Sequence, residues 1–235
     1  MPSMQRPPNY LLQALPAAGF DALHPHLKTI EMVRETVLVA AGSTPTQVYL
    51  PHSGAISITV RLSGGQVVEV ATIGRDGLVG ASVALGADIW PSDAVVLFPG
   101  TASVLDLAKL RAVADRNVTV RNLLARHELA LFAQAQQSVA CNASHSVEAR
   151  LSRWLLRARE LGGDQALPLT QEFLGQMIGV QRNAISIVAH QLQQAGTIRY
   201  SRGQIAIANM EALRKSACEC YHAVKAVHDR LLSAR

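Results

Sequence analysis

The chain has 235 residues, 49% of them hydrophobic and only 4% aromatic, with a formal net charge of +5. That length suits one large domain or two modest ones around an aliphatic core, and the composition excludes a disordered chain. No apolar run approaches the roughly 18–20 residues that span a bilayer, and prolines interrupt the N-terminal stretch where a signal peptide needs an unbroken apolar segment, so a cytoplasmic protein without a membrane partner is expected.

The charge is unevenly placed. Residues 1–141 hold 10 Lys/Arg against 10 Asp/Glu, whereas residues 142–235 hold 12 against 7, so the entire excess lies in the C-terminal part. An anionic partner, nucleic acid foremost, is expected there. Cys141, Cys218 and Cys220 are odd in number and lack C-x-x-C spacing, which argues against a disulfide scaffold. On a helix Cys218 and Cys220 would point about 200° apart, so they read as ordinary thiols, with no metal and no cofactor expected.

In chain order, Leu11–Ile30 reads as one or two short helices. From Thr36 to about Leu107 come β-branched runs, TVLVA, AISITV, VVEVATI, AVVLF and ASVLDL. The turn signals AGSTP, PHSG, LSGGQ, IGRDG and FPG separate them. Close spacing of this kind predicts an antiparallel sandwich or barrel. Residues 117–141 lack Pro and Gly, and Val120, Leu123, Leu124, Leu131 and Ala135 recur near helical spacing. At 1.5 Å per residue this helix reaches about 37 Å. Its stripe is expected to pack on the same helix of a second subunit, the alternative being its own β domain. Another helix is predicted from Ser146 to Leu161, ended by Gly162-Gly163, with GGDQALPL as a connector.

The stretch from Thr170 onward has a finer pattern. Thr170 is an N-cap and Glu172 suits the helix dipole. Counting Gln171 as one, a helix-turn-helix needs a small residue at position five, which is Gly175. It needs a residue tolerant of positive φ at position nine, which is Gly179. The apolar demands at four, eight, ten, fifteen and eighteen are met by Leu174, Ile178, Val180, Ile185 and Val188. A second helix then runs from near Gln181 to Gly196. A plain helix hairpin inside an α domain is the rival reading of this pattern alone. The segment TIRYSRGQIAIAN that follows reads as a β-hairpin, and a helix-turn-helix with a hairpin is a winged helix.

With these motifs assembled, the whole chain resembles the Crp–Fnr family of bacterial transcription regulators. LTQEFLGQMIGVQRNAISIVAHQLQQAGTIRYSRGQI is the most specific match, supported by VYLPHSG and EVATIGRDGLVG. The resemblance implies an α+β chain: an antiparallel, jelly-roll-like β-roll over 1–112, a dimerisation helix over 113–143, and a winged helix-turn-helix over 144–235. It implies a homodimer joined through 117–141, double-stranded DNA as partner, and RNA polymerase as a further one. Thr170, Gln171 and Gln181 are expected to hold phosphates at helix N-termini. Arg182, Asn183 and Ser186 would read bases, with His190 on the same face, and Arg199, Tyr200 and Arg202 would grip the flanking backbone.

The sequence also departs from the family. Isoleucine at 187 replaces a second base-reading arginine. The family's Gly-Glu pair for a ribose aligns with Gly77-Leu78, and its arginine pair for a cyclic phosphate aligns with Ser92-Asp93, so ordinary cyclic AMP binding is not expected. A pocket refitted for another effector, such as a cyclic dinucleotide or a fatty-acid-like metabolite, is the alternative. His24, His26 and His52 are unmarked as haem ligands, and no cysteine cluster precedes Cys141 for an iron–sulfur centre. Ser82, Ser92 and Ser103 lack a marked base, so an enzyme is not expected.

Overall fold

The computed structural model describes residues 6–163 and 166–232. Contacts divide the described residues into two units, residues 6–58, 71–133 and 227–232, and residues 59–70, 134–163 and 166–226. In chain order the elements of the N-terminal half are α1 Tyr10–Ala14, α2 Ala17–Leu23, β1 Lys28–Met32, β2 Val37–Val39, β3 Gln47–Pro51, β4 Ala55–Arg61, β5 Val67–Ile73, α3 Ala81–Ala84, β6 Asp93–Phe98, β7 Gly100–Asp106 and α4 Leu107–Arg116.

These strands form two antiparallel sheets. One has the order β1-β7-β3 and the other β2-β6-β4-β5. Lys28 pairs with Val104 and Gln47 with Asp106, so β7 is the centre of the first sheet. Val48, Ile56, Ala94, Val96 and Ala102 are almost completely buried, and β-branched and small side chains suit such packed strands. Lys28–Ile30, expected to be helical, instead opens β1. Pro25 lies inside the short turn His24–His26 that follows α2, where its missing N–H bars a continued α-helix, and β-branched Thr29 and Ile30 suit a strand. The short helix α4 is an addition to the expected elements, capped by Asp106 accepting from the Ala108 amide at 2.7 Å.

The long helix α5 spans Val118–Ser144, 27 residues, or about 40 Å at 1.5 Å per residue. Asn117 caps it, its carboxamide oxygen accepting from the Thr119 and Val120 amides. Val120, Leu123 and Leu124 are buried within the chain, and Val120 lies against Gly19 of α2. That part of the predicted stripe is therefore covered by its own unit, not left for a partner. The apolar face that stays open is a different one: Leu129, Phe132 and Val139 are 52%, 59% and 71% exposed.

Beyond it lie α6 Val147–Gly162, β8 Leu167–Pro168, α7 Gln171–Ile178, α8 Arg182–Gln194, β9 Ile198–Ser201, β10 Gln204–Ile207, α9 Met210–Ser216 and α10 Cys220–Leu232. The predicted connector contains β8, which pairs with β10 to give a small sheet of order β8-β10-β9. Leu151, Leu155, Leu169, Leu174, Ile185 and Leu192 form the buried centre of this unit. Arg150 of α6 is buried and donates to the Ile178 carbonyl, placing a cation at the C-terminus of α7. Trp154 Nε1 donates to Glu69 Oε1 at 2.7 Å, tying the first half of β5 to α6 in the same unit. Among the described residues, no helix is long and apolar enough to cross a membrane.

Candidate nucleic-acid interface

The geometry of α7 and α8 is set by two glycines. A Cβ on Gly175 would stand 2.7 Å from the Val180 carbonyl oxygen, a backbone atom that cannot swing away, so only glycine permits this approach. Gly179 has φ +68° and ψ +46° and donates its amide to Gly175 and Gln176 carbonyls, closing α7 in a left-handed cap. The chain then turns and α8 starts at Arg182 with Gln181 as N-cap. Leu174, Ile178, Ile185 and Val188 are buried as expected, and Val180 is half-buried.

Burying that comb decides what remains outside. Gln181, Arg182, Asn183, Ser186 and His190 are all exposed on α8. Gln181 makes no side-chain capping bond, so its carboxamide is available to a ligand. Ile187 shares the exposure at 62%. On α7, Thr170 is exposed and its hydroxyl oxygen accepts from the Phe173 amide at 3.1 Å, leaving its O–H free to donate; Gln171 beside it is half-buried.

The wing is a tight hairpin. Ser201 pairs with Gln204 across a two-residue loop, Arg202-Gly203, whose φ values are +49° and +74°. Two consecutive left-handed residues mark a type I′ turn, which fits the twist of the strands. Arginine is uncommon in that conformation, and the turn holds its side chain out in solvent. Arg199 is exposed and Tyr200 half-buried. The Tyr200 amide donates to Gln193 Oε1 at 2.7 Å, which fastens the wing to the end of α8. Among the described residues, Arg182, Arg199 and Arg202 have no ion-pair partner, so three free guanidiniums accompany the polar edge of α8.

The residues aligned with a nucleotide pocket are otherwise engaged. Leu78 is buried, and its amide donates to His127 Nε2 at 3.1 Å. A Cβ on Gly77 would meet that same nitrogen at 2.7 Å. A histidine from α5 thus occupies the space beside the pair, a role that no sequence signal marked. The next glycine, Gly80, has φ +103° and is followed by Ala81, again without a carboxylate. Ser92 is buried, and Asp93 Oδ1 accepts from the Ala41 amide at 2.9 Å.

The remaining candidates are placed as follows. His24 packs its ring against Phe20 with centroids 5.4 Å apart, and His26 is exposed. His52 Nε2 lies 2.7 Å from Ser103 Oγ, and burial lowers its pKa. Cys218 precedes α10, whose first residue is Cys220. The helical premise that would point these thiols apart therefore fails, and they lie together with Cys141 in one buried cluster.

Comparison with known proteins agrees with this anatomy. Residues 149–216 match the Crp-like helix-turn-helix domain, and residues 29–117 match the cyclic nucleotide-binding domain. No curated protein matches the chain by sequence. Among solved structures, the chain is similar to FixK2 from Bradyrhizobium japonicum, with TM-score 0.69 and 16% identity over 82% of this chain and 98% of that one. A Crp/Fnr-family regulator from Eubacterium rectale has TM-score 0.71 and 18% identity over 88% and 98%. The c-di-GMP-responsive global regulator CLP of Xanthomonas campestris has TM-score 0.66 and 14% identity over 83% and 100%. At these identities the likeness concerns the fold.

Proposed function

From the membership of this chain in the Crp–Fnr family of transcription regulators, we infer that it binds inverted-repeat DNA as a homodimer, without using cyclic AMP. The observation that carries this reading is the edge Gln181-Arg182-Asn183, exposed at the start of α8 while Gly175 and the buried comb hold that helix rigidly. A helix so presented enters the major groove N-terminus first. Arg182 reads a guanine through O6 and N7, and Asn183 and Ser186 take neighbouring bases. Ile187, in place of a second cation, lies against a thymine methyl, the apolar feature of that groove. Thr170, Gln171 and Gln181 hold phosphates, while Arg199, Tyr200 and Arg202 hold the flanking backbone. Such a regulator works in the cytoplasm, beside the chromosome and RNA polymerase.

The dimer is read from the open face of α5. Ala125, Leu129, Phe132 and Val139 are exposed and separated by four, three and seven residues. That is the heptad rhythm of a two-stranded coil, with Asn122 and Gln136 at the remaining positions of the seam. A groove of about 470 Å³ along this face is lined by Thr119, Asn122, Ala125, Arg126 and Leu129. Polar seam residues of this kind set register.

Arg202→Ala is expected to weaken binding to all sequences alike and to reduce the salt slope by about 1 per half-site; anisotropy titrations at several salt concentrations check it, and a sequence-selective loss contradicts it. Cyclic AMP at millimolar concentration leaves the melting temperature unchanged in a thermal-shift assay, because a ligand stabilises only by binding the folded state. A second arm with a cyclic dinucleotide tests the alternative effector class, prompted by the c-di-GMP response of the Xanthomonas neighbour. A clear upward shift with cyclic AMP overturns the reading of Asp93 and Leu78.

A further inference from the structure

Four side chains outside the DNA-binding edge converge at the end of α5. Cys141 lies near its C-terminus, and His145 follows one turn on, its amide donating to the Cys141 carbonyl at 3.0 Å. An i, i+4 pair shares one face. Cys220 opens α10, and Cys218 lies in the link just before it. The three sulfurs and one imidazole nitrogen all lie within 4.8 Å of one another. Cys141 Sγ is 3.5 Å from Cys218 Sγ, and Cys220 Sγ is 3.6 Å from His145 Nδ1.

We propose that Cys141, His145, Cys218 and Cys220 form a closed structural site for a zinc-like divalent cation, holding the end of α5 to the start of α10. Metal–ligand lengths of about 2.3 Å to sulfur and about 2.0–2.1 Å to nitrogen place tetrahedral ligand atoms roughly 3.3–3.8 Å apart. The two separations above already have that value, and the widest pair closes by about 1 Å. Thiolate and imidazole donors favour zinc over magnesium or calcium. Four protein ligands leave no open position, which marks a structural site and not a catalytic one.

The surroundings fit the same reading. His145 presents Nδ1 to the sulfurs and Nε2 to Glu219 Oε1 at 3.2 Å. A carboxylate on the far nitrogen is the usual partner of a metal-bound histidine, because it fixes the ring and strengthens the donor. Gln137 Nε2 donates to Cys220 Sγ at 3.0 Å. Three thiolates and a divalent cation leave one negative charge, and the Arg150 and Arg153 guanidiniums act on Cys141 from nearby. Loading exchanges three thiol protons for one cation.

Two rival readings leave part of the cluster unused. Three ordinary buried thiols need neither the histidine nor its carboxylate. A Cys141–Cys218 disulfide needs an oxidant and strands Cys220 and His145. The metal reading uses all four side chains and Glu219. It also brings together residues 77 apart in sequence, so the α6–α9 module lies between two clamped ends.

The test is the metal content of the full-length protein, purified without chelator from zinc-supplied cells. About one zinc per chain is expected, with cobalt substitution giving the visible absorption of a tetrahedral thiolate site. Cys141→Ser combined with Cys218→Ser should abolish retention. Since those variants can misfold, Glu219→Gln keeps every ligand and is expected to weaken zinc by about 10–100-fold in a chelator competition. Wild-type protein with three titratable thiols and no bound metal overturns the proposal, as does a disulfide in place of the metal. None of these readouts involves DNA, so they are independent of the DNA-binding reading.

Discussion

Replacing both Leu129 and Phe132 by Glu is expected to convert the protein to a monomer and to weaken binding to an inverted repeat by about 10²–10⁴-fold, the loss that follows when a linked second contact is removed. These side chains are 52% and 59% exposed in the single chain, so the substitution leaves the core of the protomer intact. In a two-stranded coil each of them is covered by its symmetry mate. Burying a side chain of this size contributes about 1.5–3 kcal/mol, and the seam counts every one twice. Four carboxylates at the same seam remove that gain and repel one another. Light scattering reads the mass, circular dichroism reads the fold, and an anisotropy titration reads the affinity. A folded double variant that remains dimeric places the interface elsewhere.

Arg182→Ala is the second large effect. A bidentate arginine contact is worth about 1–3 kcal/mol, and a dimer makes it twice, so the cognate site loses about 2–6 kcal/mol. The loss is confined to sequences that carry the paired guanine. Binding to a site altered at that base pair should hardly change, because the contact is already absent there. This distinguishes a base-reading arginine from the phosphate-holding Arg202, whose removal costs every sequence equally. Gel-shift titrations of the variant against the cognate site and its single-base changes measure both quantities. Unchanged affinity together with unchanged base preference rules out the role.

The helix-turn-helix was legible because its demands are local and steric. Gly175 and Gly179 answer a close approach and a left-handed turn, and each shows up as one residue at one position. The long helix was less so. Both Val120, Leu123, Leu124 and Ala125, Leu129, Phe132, Val139 form apolar stripes, and periodicity cannot say which face the β-roll will cover. Only the tertiary packing separates them, burying the first set and leaving the second open. The strand β8 has no sequence signature, because two residues carry no period. The thiol cluster is invisible to helical spacing, which points Cys218 and Cys220 apart, because the helix is interrupted between α9 and α10 and both sulfurs turn inward. His127 had no signal at all, since its partner is a backbone amide 49 residues away.

Two copies of the α8 edge, spaced by the α5 seam, would read one two-fold symmetric stretch of DNA. Selecting bound sites from a random duplex pool at fixed salt tests that most directly, since motif, symmetry and spacing come out together. The expected motif is an inverted repeat whose half-site centres lie about 10–10.5 base pairs apart, each with a guanine for Arg182. No enriched motif, or a lone half-site without its mirror image, would contradict it.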